Sequence, residues 1–341
     1  MIQLKIGDNE EIVARTYRNM IKKEGIRKDS LVKLSAIKND FPLGSTSTWI
    51  WGRGVNTQIE VIDNRKVRDY IDLLLKMYDS LLLMHPKKFY HKIQRFENII
   101  PRDRINCKIQ PEKPSLSSRI VTAMGYDKMR EKVYPHAARQ LNVKTCVYCN
   151  ANYAIADSNG EAYFDLDHWK PKSLYPYLCT TFYNLQPSCP SCNRRKSNKD
   201  NKKFFRLWND GNRAGLESLK FEVESANIAK YWIQHHKDDI KVTMNYVHPH
   251  DRKLLLDTEE SLHITTRYQE HNDVAEEILW KAKVYNSAFW DSFEKGLATL
   301  PLSDSEKKRF ILGTYPNSEE IFLRPLSKMI QDVAKEVGLV V

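Results

Sequence analysis

The longest regular pattern of apolar positions lies between about Lys66 and Met84. Val67, Tyr70, Ile71, Leu74, Met77, Tyr78, Leu81 and Leu82 recur at three- and four-residue spacing, the period of one helix face. Asp63 or Asn64 can cap the start of this helix, and His85-Pro86 ends it, because a residue before proline is pushed out of the helical region. The rest of residues 1–145 also reads as mostly helical. Asn39 to Gly54 carries Pro42, Gly44 and a Ser/Thr run before Trp49 and Trp51, which predicts a loop or turn region. The two tryptophans fit a core edge better than a base-stacking platform. Asn106 to Ser118, with Pro111 and Pro114, predicts a linker.

The pattern changes near residue 152. Asn152 to Ala156 and Glu161 to Asp167 are β-prone, and Asp157-Ser158-Asn159-Gly160 between them predicts a hairpin turn. Pro190 to about Lys203 is polar and basic and suits a short helix. After Trp208 the chain reads as helical again. Val274, Ile278, Ala282, Tyr285, Phe289, Phe293 and Leu297 form one apolar stripe. A last helix is predicted from Pro325 to about Val337, before Gly338, with Leu326, Ile330, Val333 and Val337 on its buried face. Both stripes read as core packing.

Charge sharpens this division. The 341 residues carry a formal net charge of +11. Residues 1–145 hold 28 Lys and Arg against 16 Asp and Glu, residues 146–206 hold 9 against 5, and residues 207–341 hold 17 against 22. A basic front and an acidic tail predict one face for a polyanion and a different surface for something else. No apolar run approaches the ~18 residues of a membrane helix. The first residues, MIQLKIGDNEE, do not read as a secretion signal, so the expectation is a soluble cytoplasmic protein with no membrane partner.

Four of the six cysteines form two Cys-x-x-Cys pairs, Cys146/Cys149 and Cys189/Cys192. Outside a secreted context such pairs read as a zinc site before they read as disulfides. Four thiolates close a tetrahedral Zn²⁺ shell, so this metal would hold structure rather than perform chemistry. Cys107 and Cys179 read as small hydrophobes.

Between the pairs lies Asp165-Leu166-Asp167-His168-Trp169-Lys170-Pro171-Lys172-Ser173, then Asn184-Leu185, then Cys192-Asn193-Arg194-Arg195-Lys196-Ser197. Hydrolysis of a phosphodiester needs a base for the attacking water and cationic stabilisation of the phosphoryl oxygens. His168 can serve as the base. The Asp167 carboxylate and the Asn193 amide oxygen can hold a hard divalent ion such as Mg²⁺ or Mn²⁺. Arg194, Arg195 and Lys196, near a helix start, can clamp phosphate. Asp165, on the same strand face as Asp167, either supports the metal or faces solvent.

The order Cys-x-x-Cys, Asp-His-x-x-Pro-x-Ser, Asn-Leu, Cys-x-x-Cys-Asn-x-x-Lys resembles the HNH endonucleases of the ββα-metal class. The motif spans about 55 residues, Cys146 to Asn198. The resemblance implies that Asp167 and Asn193 are the protein ligands of the catalytic ion, that His168 activates water, and that Asn184 braces the loop and orients the histidine. Asn at the third motif place is a variant of the family pattern and favours Mg²⁺ or Mn²⁺. The flanks, around Ala275 to Asn286 and Arg324-Pro325-Leu326-Ser327, more loosely resemble the HNH nuclease component of Septu-type anti-phage systems. That resemblance implies a defence role beside an ATPase or other defence-system partner.

The expected fold class is therefore α+β and mostly helical. A zinc-stabilised ββα-metal module at 141–206 would sit between a basic helical region at 1–140 and an acidic helical region at 207–341. The expected activity is metal-dependent hydrolysis of DNA, with RNA as a further substrate because nothing in the motif reads a 2′-hydroxyl. A zinc-bearing adaptor that binds nucleic acid or recruits a partner without cutting is the alternative.

Overall fold

The structure, a computed structural model, describes residues 1–51, 57–109, 114–209, 217–285, 289, 292–293, 295–296 and 300–339. The amphipathic segment forms helix α3 (Asn64–Leu82), and all eight of its predicted core residues are buried. Each contributes roughly 2 kcal/mol of burial before the entropy of ordering is subtracted. The Asp63 carboxylate caps the helix, accepting the Arg65 backbone N–H at 2.8 Å. Helix α2 (Ile26–Asn39) packs on α3, and the other helices of this region are α1 (Asp8–Lys23), α4 (Phe89–Glu97), α5 (Arg102–Ile105), α6 (Leu116–Ala123), α7 (Tyr126–Lys132) and α8 (Tyr134–Gln140).

Within the loop expected over Asn39 to Gly54, Asp40 to Ser45 is the turn region and Thr46–Trp51 is instead a strand, while 52–54 lie outside the described residues. β1 (Thr46–Trp51) pairs antiparallel with β2 (Gln58–Asp63), with Trp49 opposite Glu60. The β-branched and aromatic content of Thr46 to Trp51 outweighs the turn residues before it. Trp49 is fully buried, while the side chain of Trp51 lies outside the described residues. The expected linker is also shorter. Lys108 exchanges two backbone hydrogen bonds with Ile50, and Ser115 caps α6 by accepting from the Ser118 N–H.

In the middle of the chain, β3 (Ile155–Ala156) and β4 (Ala162–Tyr163) form the predicted hairpin. The Asp157 side chain accepts the backbone N–H groups of Asn159 and Glu161, and Gly160 takes the left-handed φ of 85° that the turn demands. The strand does not run on through Asp167 as expected. β5 (Asp165–His168) leaves the hairpin and pairs antiparallel with β6 (Leu185–Ser188), placing Asp165 opposite Ser188 and His168 opposite Leu185. Helix α9 (Pro190–Lys196) follows β6 directly, with proline in its first turn, where a missing N–H costs nothing.

The C-terminal third is less purely helical than its sequence suggested. β7 (Leu219–Val223) pairs with β8 (Val242–Tyr246), and its Leu219, Phe221 and Val223 are buried on one face. The helices are α10 (Ser225–Gln234), α11 (Arg252–Leu262), α12 (Ile264–Tyr268), α13 (Asn272–Val284), α14 (Asp304–Leu312) and α15 (Ser327–Glu336). The predicted apolar stripe is interrupted, since α13 stops at Val284 and buries Ala275, Ile278 and Leu279 most deeply. Leu297 of that stripe lies outside the described residues. The last helix begins at Ser327 rather than Pro325, because Leu326 adopts a left-handed φ of 62°. Its buried face centres on Met329 and Val333, with Leu326, Ile330 and Val337 only partly buried.

The buried apolar residues join into one cluster that runs from Met1 to Leu339. The N-terminal segment reaches the far end of the chain: Ile2 bridges Glu217 and Leu4 bridges Trp208. Among the described residues no helix is long and apolar enough to cross a membrane.

Candidate active site and metal centre

The four cysteines of the two Cys-x-x-Cys pairs converge. Cys146, Cys149, Cys189 and Cys192 are all buried, and their sulfurs lie within 4.8 Å of one another. A tetrahedral Zn²⁺ with 2.3 Å Zn–S bonds needs sulfurs about 3.8 Å apart. The Cys149–Cys189 separation of 4.0 Å is close to that, so the donor set fits a metal with a closed shell. Other groups stabilise thiolate charge there. Arg267 of α12 donates to the Cys192 sulfur at 3.3 Å, and the Asn152 amide reaches the sulfurs of Cys189 and Cys149 at 3.6 and 3.7 Å. Tyr268 donates to the Cys149 carbonyl, and Asn150 binds both the Ile321 carbonyl and the Lys328 N–H. The C-terminal third thus braces the cysteine centre directly. Cys107 and Cys179 are buried apart from this cluster.

β5 and α9, with the turns that follow them, line a cleft of about 590 Å³. It brings together Asp165, Asp167, His168, Asn193 and Arg194, and Tyr126 and Arg130 of α7 and Lys172 also line it. The Asn193 amide donates to the Asp165 carboxylate at 2.9 Å, so Asp165 faces the site rather than open solvent.

His168 is buried, and its Nε2 lies 3.0 Å from the Cys179 carbonyl oxygen. A carbonyl can only accept, so Nε2 carries the proton and Nδ1 carries the lone pair. Burial, reinforced by the Lys172 ammonium, pushes the imidazole pKa down to about 3. The ring is therefore neutral at neutral pH. The same Lys172 ammonium sits 3.7 Å from the centre of the Tyr126 ring, which lies 5.0 Å from the His168 ring.

Asn184 spans the loop behind the histidine. Its side chain accepts from the Lys170 N–H at 2.8 Å and donates to the carbonyls of Lys170 and Leu178, each at 3.1 Å. With every amide position engaged on backbone, this side chain fixes the exit of β5 just beyond His168.

Asp167 is buried and heavily partnered. Tyr148 donates to one carboxylate oxygen at 2.5 Å, and the Lys196 ammonium lies 3.1 Å from the carboxylate. Burial pushes the Asp167 carboxyl pKa up, while Lys196 and Tyr148 pull it back toward the charged form. The Gln186 amide in turn donates to the Tyr148 hydroxyl at 2.5 Å. Tyr148 sits inside the first Cys-x-x-Cys, so one side chain ties the cysteine centre to the Asp167 cleft.

The basic run splits. Arg194 is exposed and lines the cleft, whereas Arg195 is exposed and is not part of its lining. Lys196, expected at the phosphate, is instead buried, donating to the His168 carbonyl at 2.7 Å as well as pairing with Asp167. It lies four residues after the buried Cys192, on the inward face of α9, and that spacing is the signal that separates it from its neighbours. Tyr148, Gln186, Arg130 and Lys172 were not singled out by sequence. The first two are buried polar residues whose partners come from other elements, and Arg130 comes from a distant helix.

An antiparallel strand pair running into a short helix, tied by a cysteine tetrad and opening on an Asp-His-Asn cleft, defines the ββα architecture that the motif implied. Comparison with known proteins agrees: residues 146–199 match the family model described as HNH endonuclease. A curated relative, the Septu protein PtuB of Bacillus thuringiensis, is 34% identical over 67 residues, covering 20% of this chain and 24% of that protein. The chain therefore matches about a quarter of that relative's length. No solved structure matches.

Proposed function

We propose that this chain is a metal-dependent HNH endonuclease that hydrolyses DNA phosphodiester bonds. The observation that carries the reading is the convergence of His168, Asp165, Asp167 and Asn193 in one cleft, with the lone pair of His168 left on Nδ1. In this mechanism Nδ1 takes a proton from the attacking water as the new phosphorus–oxygen bond forms and the bond to the departing sugar oxygen breaks. A phosphate bound beside His168 raises the basicity of the imidazole from its depressed value in the free protein. Asn184 holds the loop so that the ring keeps its aim.

Asp167 and Asn193, with Asp165 beside them, would hold Mg²⁺ or Mn²⁺, since their oxygens suit a hard divalent ion. Such an ion, when bound, stabilises the charge that builds on the phosphoryl and departing oxygens. Arg194 and Arg130 stand where they can bind phosphate, and Arg195 can contact the backbone beyond the cleft. Lys196 serves Asp167 rather than substrate. The cysteine tetrad would hold a structural Zn²⁺.

The relative is named a Septu protein, which agrees with the resemblance to Septu-type anti-phage nucleases, and that resemblance supports a defence role beside an ATPase or similar partner in the cytoplasm. The test is incubation of the purified chain with plasmid, linear DNA and RNA while Mg²⁺, Mn²⁺ and candidate partners are varied. Metal-dependent nicking supports the nuclease. Binding without cutting under every condition favours the non-catalytic adaptor.

A further inference from the structure

A second cleft, of about 340 Å³, adjoins the His168 cleft. The two share a ridge made of two chain segments. His168 and Pro171 line the first cleft, while Trp169 and Lys170 between them line the second. Ser197 and Asn198 line the first, and Lys199 and Asp200 continue into the second. Anything extended that crosses the ridge therefore touches both.

The chemistry of the second cleft is cationic. Lys170, Lys199, Lys202, Lys203 and Arg206 line it, and among the described residues Asp200 is its one acidic lining residue. Asp200 is already neutralised: Arg102 and Lys170 each lie 3.0 Å from its carboxylate, and Tyr175 donates to it at 2.6 Å. Lys202 is also paired, with Glu260 at 2.7 Å. Lys199 and Lys203 keep exposed side chains at the rim. The wall behind them is stiff. The Arg206 guanidinium lies 4.8 Å from the Trp169 ring centre, and the Trp169 indole donates to the Phe204 carbonyl at 3.3 Å. A paired acid, a rigid aromatic wall and exposed lysines leave a net positive trough rather than a network that satisfies itself.

We infer that this second cleft binds the sugar-phosphate backbone of the nucleic acid one or two nucleotides from the bond placed at His168, with Lys199 and Lys203 as its phosphate contacts. The inference rests on the nuclease reading for its substrate class, yet it is tested by binding alone. Each backbone phosphate neutralised by a lysine releases counterions and adds about 0.9 to the slope of log affinity against log salt.

The experiment measures affinity for a fluorescein-labelled DNA duplex between about 50 and 200 mM salt, without added divalent metal. It compares wild type, K199A/K203A, and a control, K237A/K241A, that removes two exposed lysines of the acidic C-terminal third. The expected result is a slope smaller by about two for K199A/K203A and an unchanged slope for the control. In the cleavage assay the same variant should raise KM and leave kcat at saturation within about twofold, because uniform binding is lost while the transition state keeps its contacts. An unchanged slope, or an equal loss in the control, overturns the inference. So does a wild-type chain that does not bind the duplex. Binding with the expected slopes but without cleavage keeps the cleft and removes the nuclease reading. Cleavage with unchanged slopes does the reverse.

Discussion

Lys196 holds its ammonium 3.1 Å from the Asp167 carboxylate, with both side chains almost fully buried. A buried pair of this kind is costly to break from one side, because the remaining charge is left in a medium that solvates it poorly. Lys196→Met should therefore lower the unfolding free energy by about 3 kcal/mol or more in urea titrations. Adding Asp167→Leu should recover most of that loss. A single variant within about 1 kcal/mol of wild type would show that the pair is solvated and the buried geometry wrong.

Tyr148 lies inside the first Cys-x-x-Cys yet directs its hydroxyl to Asp167 rather than to the cysteine sulfurs. Tyr148→Phe keeps the ring and removes the hydrogen bond. The expected outcome is unchanged zinc content with cleavage reduced about 10- to 100-fold, the range for groups that orient a metal ligand. Full activity in the variant would place Asp167 outside the machinery.

The cysteine tetrad should bind one zinc per chain, measured by elemental analysis. Cys149→Ser should lose that zinc and the soluble fold together, since binding energy at such a site is folding energy. A well-folded, zinc-free Cys149→Ser protein would remove the structural role.

His168 gives stability a pH dependence. Its pKa in the folded state is depressed to about 3, while an unfolded histidine titrates near its ordinary 6.5. Below pH 6.5 the unfolded chain takes up a proton that the folded chain refuses, so stability falls as pH drops. The full contribution is present above pH 6.5 and is lost progressively toward pH 3, at up to about 1.4 kcal/mol per pH unit. Denaturation midpoints at pH 7 and pH 5 should converge in His168→Gln relative to wild type. Equal acid sensitivity in the two proteins would mean that the wild-type imidazole is solvated.

Sequence carried some of this structure well, and the reasons are physical. Helix α3 was legible because nineteen consecutive residues repeat one period, and local periodicity survives any tertiary context. The cysteine pairs were legible because metal chemistry restricts residue type and spacing, and Asp167, His168 and Asn193 of the same motif fall in one cleft. The partner of β5 was not legible, because Asp165 to His168 pairs with a strand near residue 185 rather than with its neighbour across the Asp157 turn. The β7–β8 pair was not legible although Leu219-Lys220-Phe221-Glu222-Val223 alternates in polarity, since α10 intervenes and the partner strand begins only at Val242. Lys196 was grouped with Arg194 and Arg195 by charge, while the helix period places it with Cys192. Tyr148 and Gln186 form a buried polar chain whose members are joined only by folding.

The central claim is that His168 is the base of a hydrolytic site. Its most direct test is the rate of plasmid nicking by wild type and His168→Ala under identical Mg²⁺ conditions, with matched zinc content and circular dichroism. The account predicts metal-dependent nicking by wild type and a loss of at least about 100-fold in the variant. Undiminished nicking by His168→Ala would contradict it.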